Sequence, residues 1–248
     1  MNETTTSARS ILLFLGVIDR PRTTLANVLA HPRGKWLLPL VLCLAATIFM
    51  LWATADEASV LAARQQAVAL QSMQGQLQDM TQAQQQQLRD QMARFSSPSM
   101  LMLIGSLTSA IGLLLSWLIG AAMIYFGLTI GGTELRFPPL LAALSWTWLP
   151  FAFRDLFSAV WNLITGVLMV NPGLSYFVST GDTLSDQANP LWLLASQVDL
   201  FWLWHLVLIY ALVKAVRPQH SAWGLTLLYA LLYLAVRVGP AALLGRLV

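Results

Sequence analysis

A chain of 248 residues that is 57% hydrophobic and only 10% charged is too apolar for a soluble globular domain, in which about a quarter of the residues are charged. The 14 lysines and arginines are scattered along the chain and leave a net charge of only +3, which excludes a nucleic-acid-binding surface. The single cysteine, Cys43, excludes an intrachain disulfide and a metal site built from several cysteines. The composition predicts an integral membrane protein.

The first predicted element is an N-terminal segment, residues 1–35, that precedes the first long apolar run. Basic residues favour the cytoplasmic side of a membrane, so this segment is predicted to be cytoplasmic. It carries five of them: Arg9, Arg20, Arg22, Arg33 and Lys35. Residues 24–30 predict a short helix with Leu25, Val28 and Leu29 on one side, which either lies in the membrane interface or serves as a linker.

Span 1 is predicted over residues 36–55, with Trp36 and Trp52 as interfacial anchors at its two ends. No convincing cleavage pattern follows the apolar run, so we expect it to be retained as an anchor. The chain then leaves the membrane on the outer side.

Residues 56–98 are polar and rich in glutamine, but apolar residues recur within them at intervals of three or four. This spacing predicts a helical seam. The seam consists of Leu70, Met73, Leu77, Met80, Leu88, Met92 and Phe95. We expect a periplasmic helical hairpin that turns between residues 75 and 84. Its two arms either bury the seam against each other, or the seam also docks a second protein.

Span 2 is predicted over residues 99–130 and returns the chain to the cytoplasm. Small residues recur in it at intervals of four: Thr108, Gly112, Ser116 and Gly120. Such a stripe allows another helix to approach closely. A glycine hinge for gating is the alternative interpretation.

Span 3 is predicted over residues 137–170, which at roughly 50 Å is too long for one upright helix. Pro150 lies within it and predicts a kink, because proline removes a helical hydrogen bond. Arg154 and Asp155 follow the kink. Residues 171–189 then form an outer loop that contains no basic residue.

Span 4 is predicted over residues 190–216 and contains Asp199 and His205, and span 5 over residues 221–245 contains Arg237. Lys214 and Arg217 mark the cytoplasmic turn between them. The predicted fold is therefore all-α: a polytopic membrane helix bundle with five spans, an extended helical hairpin between spans 1 and 2, a cytoplasmic N-terminus and a periplasmic C-terminus.

Four charged residues are predicted to lie in the same outer layer of the membrane: Arg154, Asp155, Asp199 and Arg237. A charge inside the hydrocarbon is costly unless it is paired, so we expect an ion cluster with Asp199 paired to Arg154 or Arg237. The cluster either locks the bundle or relays protons or ions. His205 is predicted to be a lone polar residue on a different face.

Three stretches occur in an order typical of a known family. They are the motif of Asp199, Phe201 and Trp204, residues 21–25, and residues 145–150, which end at Pro150, with residues 154–156. On these stretches and the five-span pattern, residues 11–245 resemble the Yip (Ypt/Rab-interacting protein) domain family in its bacterial form.

The resemblance implies a five-span integral protein with a cytoplasmic N-terminus. Eukaryotic members of the family contact Rab-type GTPases in vesicle traffic and shape membranes, whereas some bacterial members are encoded with ABC-type export systems as accessory subunits. The long hairpin departs from the common family pattern, which disfavours a GTPase-binding role and favours a partner outside the cytoplasm.

The histidines His31, His205 and His220 are dispersed, and there is no phosphate loop or metal-spaced cluster, so the sequence predicts no enzyme, no cofactor and no metal site. The leading hypothesis is a non-catalytic scaffold or accessory subunit of the bacterial inner membrane. Its expected partners are membrane lipids, other integral membrane proteins and periplasmic proteins, among them an ABC-type transporter and its membrane-fusion protein. An autonomous transporter or membrane-shaping protein that uses the charge cluster is the alternative.

Overall fold

The structure, a computed structural model, describes residues 12–244, except for the side chains of Gln76, Leu184 and residues 240–244. The start of the predicted N-terminal segment, residues 1–11, and the end of predicted span 5, residue 245, lie outside the described residues. Every regular element within them is helical, which confirms the all-α class. The helices are α1 (12–19), α2 (Pro21–Ala30), α3 (Leu37–Ala53), α4 (Ala55–Ser72), α5 (Gln74–Gln78), α6 (Gln82–Phe95), α7 (Pro98–Ile130), α8 (Phe137–Trp146), α9 (Leu149–Thr165), a 3₁₀ turn (Gly173–Phe177), α10 (Thr183–Ala188), α11 (Pro190–Gln197), α12 (Leu200–Val216) and α13 (Trp223–Leu244).

One described helix, α7, is long and apolar enough to cross a membrane on its own. The pair α3 and α4 and the pair α11 and α12 also meet the criterion, but they are bent by 63° and 60°, so at most three spans are supported by length and composition. Large apolar side chains on α7 are more than half exposed, Leu103 at 65% and Leu107 at 61% among them. A surface of this kind is typical of a helix that faces lipid.

The described chain divides into two compact units. The first contains the residues up to Ala45, Gly112–Arg154 and the residues from Asn171 onwards, and the second contains Ala46–Ile111 and Asp155–Val170. In the first unit, α2 packs against α8 and α12, and its residues Leu25 and Val28 are fully buried. The linker interpretation of this segment is therefore wrong: α2 is part of the helical core.

Predicted span 3 is not a single kinked helix. Helix α8 ends at Trp146 and α9 begins at Leu149, so the break precedes Pro150. In a continuous helix, the ring of Pro150 would clash with the carbonyl group four residues earlier, which is that of Trp146. In the structure, Pro150 instead occupies the first turn of α9, where its missing N–H group costs no hydrogen bond. Helix α9 ends at Thr165, before Gly166 with a φ of +64°.

Predicted span 4 is also two helices, with the break at Val198 and Asp199 between α11 and α12. The backbone N–H of Leu174 donates to the carbonyl oxygen of Val198 at 3.0 Å, which satisfies one of the groups that the break leaves free. Gly173 has a φ of +61°, and a Cβ atom at this position would press against the same carbonyl. Only glycine fits between the loop and the break.

The predicted outer loop, residues 171–189, is held together by Asp186. Its carboxylate accepts hydrogen bonds from the Ser179 hydroxyl at 2.5 Å and from the backbone N–H of Thr180 at 2.8 Å. These bonds favour the ionised form and lower the pKa of Asp186 below its ordinary value, with the Ser179 hydroxyl as the larger cause. The Asp186 carboxylate thus connects two parts of the loop and gives it a defined conformation.

The hairpin of the second unit runs through α4, α5 and α6 and turns around Asp79 and Met80. Helix α6 begins with a capping box formed by Thr81 and Gln84. The two arms meet at Gln66 of α4, whose side-chain amide donates to the Met92 carbonyl at 2.7 Å and accepts from the Ser96 hydroxyl at 3.2 Å. No described residue of α4 or α6 is fully buried, so the arms are joined loosely.

Candidate functional site

His205 lies at the centre of the first unit and is fully buried. Its Nδ1 atom is 2.6 Å from the carbonyl oxygen of Thr147, and its Nε2 atom is 2.9 Å from the hydroxyl of Tyr229. Helix α12 supplies the histidine, the α8–α9 break supplies the carbonyl and α13 supplies the tyrosine. The prediction that His205 is a lone polar residue is wrong, because both of its ring nitrogens have partners.

The chemistry of these partners assigns the roles of the two nitrogens. A backbone carbonyl can only accept, so Nδ1 must carry the proton that it donates to Thr147. In the neutral ring Nε2 is then an acceptor, and the Tyr229 hydroxyl donates to it. His205 therefore satisfies a backbone carbonyl at the break between α8 and α9, and its second hydrogen bond holds α13 in place through Tyr229.

Aromatic rings surround this histidine. The ring of Phe151 lies 5.0 Å from it and that of Trp148 lies 5.4 Å from it, while Tyr229 and Tyr233 are within 6.2 Å. We call this group the His205 cluster: His205, Trp148, Phe151, Tyr229, Tyr233 and the Thr147 carbonyl. Such packed rings contribute stability beyond the area that they bury.

The α8–α9 break is tied down at three consecutive residues. The indole N–H of Trp146 donates to the Lys35 carbonyl at 2.9 Å, and the thiol of Cys43 contacts the Trp148 carbonyl at 3.8 Å. Together with the bond from His205 to Thr147, these contacts hold the broken backbone from three other parts of the first unit. These three contacts fix the conformation of the backbone between α8 and α9.

Asp199 does not lie inside a helix as predicted, because it is the N-cap of α12. Its Oδ1 atom accepts a hydrogen bond from the backbone N–H of Trp202 at 2.6 Å. Its Oδ2 atom is 3.6 Å from the Arg154 guanidinium, so the structure brings these two predicted partners together. The carboxylate satisfies a free N–H of the helix end and complements its positive dipole.

The other two members of the predicted ion cluster make different contacts. Asp155 accepts a hydrogen bond from the Thr47 hydroxyl at 2.6 Å, within the second unit. The guanidinium of Arg237 lies over the Tyr233 ring at 5.6 Å and forms no ion pair with a described residue. Arg154 likewise lies over Phe151 at 4.9 Å. The arginines thus flank the His205 cluster through its rings, which is a cation–π arrangement that the charge pattern did not predict.

The predicted packing stripe of α7 serves two purposes. At Gly120 a Cβ atom would come within 3.3 Å of Leu144 and of Tyr229, so this glycine allows a close approach. At Gly112 the same atom would meet open space, and Thr108 bonds to the Ile104 carbonyl of its own helix at 2.8 Å. Gly112, Ser116 and Gly120 line a cavity of about 340 Å³ that Tyr229, Tyr233 and Arg237 border on α13.

This difference predicts opposite effects for two alanine substitutions. Gly112→Ala is expected to leave the free energy of unfolding unchanged or to raise it by up to about 1 kcal/mol, because alanine is the better helix former. Gly120→Ala is expected to lower it by about 1–2 kcal/mol, because the hydrogen bond to His205 keeps the Tyr229 ring from moving aside. Thermal unfolding of both variants in the same detergent measures the difference. Equal shifts would contradict the close contact at Gly120.

The family motif residues take distinct positions around these helix breaks. Asp199 caps α12, Pro150 begins α9, and the ring of Trp204 lies 5.5 Å from that of Phe153. Phe201 lies in the first turn of α12 and is half-buried. The motif therefore marks the two breaks and the contact between the helices that follow them.

Sequence reasoning missed Thr147, Trp148 and Tyr229 and assigned His205 no role. One usable signal was present: an aspartate directly before a long apolar run is a preferred N-cap, and it predicts a helix that begins at that point.

Among residues 12–244, no group of three histidine, cysteine or acidic side chains is placed to hold a metal ion.

Comparison with known protein families identifies a match over nearly the whole chain. The family model described as Yip1 domain matches residues 15–244. The comparison with curated proteins and the comparison with solved structures each returned no match.

Proposed function

Because the chain belongs to the Yip1 domain family, we propose that it is a non-catalytic membrane scaffold or accessory subunit that associates with an ABC-type export complex. The family match and the apolar helices make it a membrane protein. The bacterial members that are encoded with export systems supply the proposed class of partner.

The proposed topology is five spans with a cytoplasmic N-terminus, in the bacterial inner membrane. Helix α7 is one span, and the bent pair α11–α12 supplies a second. Helix α3 is the third in this proposal, with α4 left to the hairpin outside the membrane. The broken pair α8–α9 and the apolar helix α13 are the remaining two in this proposal. The basic residues before α3 and after α12 support the orientation, since such residues favour the cytoplasmic side.

The state of the buried polar groups favours a scaffold over a proton or ion relay. Both ring nitrogens of His205 are engaged by fixed partners, and the carboxylate of Asp199 both caps a helix and contacts Arg154. A relay requires groups that exchange partners, whereas these contacts hold helix ends and breaks in place. Contacts of this kind stabilise the arrangement of the helices, which is the structural role predicted as the lock on the bundle.

The incomplete burial of the hairpin seam is the observation that carries the proposed partner-binding role. Phe95 is 58% exposed and Met73 is 38% exposed, although both belong to the apolar seam. The remaining seam residues are only half-buried. Because the two arms leave this apolar surface open, a second helical protein can complete its burial.

A matched set of variants tests this role. Phe95→Ser together with Met73→Ser should abolish recovery of the partner in affinity purification without lowering the thermal stability of the protein. Val68→Ser is the control, since Val68 is 48% exposed on α4 but lies off the seam. Mass spectrometry of proteins recovered with each variant in mild detergent gives the readout.

Two results would contradict the proposal. Recovery of an ATPase or adaptor that is the same for the seam double variant, for Val68→Ser and for a chain lacking residues 57–97 would exclude the hairpin as the docking element. A wild-type protein that carries no partner at all would move the function to the alternative, an autonomous transporter or membrane-shaping protein.

A further inference from the structure

A second cavity lies in the first unit, between α7, α8 and the turn that precedes α3. It has a volume of about 510 Å³. Helix α7 contributes Leu114 and Trp117, and α8 contributes Leu141 and Ala142 to an almost wholly apolar lining. The volume lies within the range of about 300–1,000 Å³ that is usual for ligand sites.

Arg33 is the charged residue among the described residues of this lining. It is exposed and has no hydrogen bond or ion pair with a described residue, in contrast to the neighbouring Lys35, whose ammonium donates to the Asn27 side chain at 2.7 Å. Among the described residues, no acidic side chain lines the cavity. The site therefore presents an apolar volume with an unneutralised guanidinium at its border.

Two tryptophans complete this arrangement. Trp36 lines the cavity beside Arg33 and is 42% exposed, as expected for an amphipathic ring at the level of lipid head groups. Trp117 is only 3% exposed, and its indole N–H has no hydrogen-bond partner among the described residues. The Trp117 ring contributes apolar surface to the α7 wall of the cavity.

We propose that this cavity binds an anionic phospholipid of the surrounding membrane, with an acyl chain between α7 and α8 and the phosphate on Arg33. The charge complementarity selects the occupant, because a guanidinium pairs with phosphate through two parallel hydrogen bonds while the lining accepts only hydrocarbon. The proposal is independent of the partner of the hairpin.

Native mass spectrometry of the protein released from nanodiscs tests this site. Wild-type protein from discs of phosphatidylglycerol and phosphatidylcholine should retain phosphatidylglycerol selectively. Arg33→Gln should weaken that retention about tenfold, since a charge-assisted contact is lost. Arg22→Gln is the control: it removes the same charge from an exposed position on α2 that does not line the cavity, and it should retain the lipid as the wild type does.

A second variant addresses the acyl chain. Leu118→Trp places a larger ring in the cavity from a position that is 48% exposed, so the core stays intact, and it should reduce the retention of phosphatidylglycerol. Equal loss in Arg33→Gln and Arg22→Gln, equal retention of the two lipids by the wild type, or full retention in Leu118→Trp would each overturn the proposal.

Discussion

Replacement of His205 by alanine is expected to lower the free energy of unfolding by about 2–4 kcal/mol, the largest effect of any single substitution considered for this protein. The loss has two parts. The variant leaves the Thr147 carbonyl and the Tyr229 hydroxyl without their partner, and it opens a void among the rings of the His205 cluster. Thermal or denaturant unfolding in detergent provides the measurement.

His220 provides the matched control for this substitution. It is exposed in the turn after α12, and the contact it makes with Lys214 uses its backbone carbonyl, which alanine keeps. His220→Ala should therefore change the free energy of unfolding by no more than about 0.5 kcal/mol. Tyr229→Phe should fall between the two histidine variants, because it leaves only Nε2 unpaired. A His205→Ala protein as stable as His220→Ala would show that the histidine does not hold the break.

Replacement of Asp199 by alanine is expected to cost about 1–3 kcal/mol, from loss of the N-cap and of the contact with Arg154. Asparagine at the same position separates the two contributions, because it caps a helix as well as aspartate does. Asp199→Asn should therefore cost about 1 kcal/mol or less, since the Arg154 side chain is one-third exposed and its ion pair is weakened by solvent.

The same pair of variants distinguishes a lock from a relay. If Asp199 locks the bundle, recovery of partners in affinity purification should follow stability, so that Asp199→Asn behaves almost as the wild type. Loss of ion or substrate movement in Asp199→Asn with stability intact would contradict the structural role and support the transporter alternative. Reconstituted vesicles and unfolding curves of the same preparation give the two readouts.

The helical class and the membrane location could be predicted from composition and apolar run length, since both are properties of local sequence. The positions of the helix breaks could not be predicted in this way. Hydropathy is continuous through residues 147–148 and 198–199, so each pair of helices looks like one long span. Asp199 sets one break because it caps the start of α12, and Pro150 sets the other because a continuous helix would bring its ring against the Trp146 carbonyl. Both are effects of single residues.

The predicted pairing of Asp199 with Arg154 holds, and the failure to place Arg237 correctly has the same origin. Residues were placed at depths in the membrane by counting about 1.5 Å per residue, which assumes straight helices. With breaks before Leu149 and Leu200, that count no longer brings Arg237 to Asp199, which pairs with Arg154 instead. The role of His205 depends on the meeting of three helices that are distant in sequence, which periodicity within one helix does not contain.

The bond between Thr147 and His205 also has a consequence for biosynthesis. The two residues are 58 positions apart, and ribosomes add roughly 5–20 residues per second, so Thr147 is made about 3–12 s before its partner. During that interval the α8–α9 joint has an exposed carbonyl that no neighbouring helix yet satisfies. A nascent chain that ends before α12 therefore lacks the side chain that satisfies the Thr147 carbonyl in the finished protein.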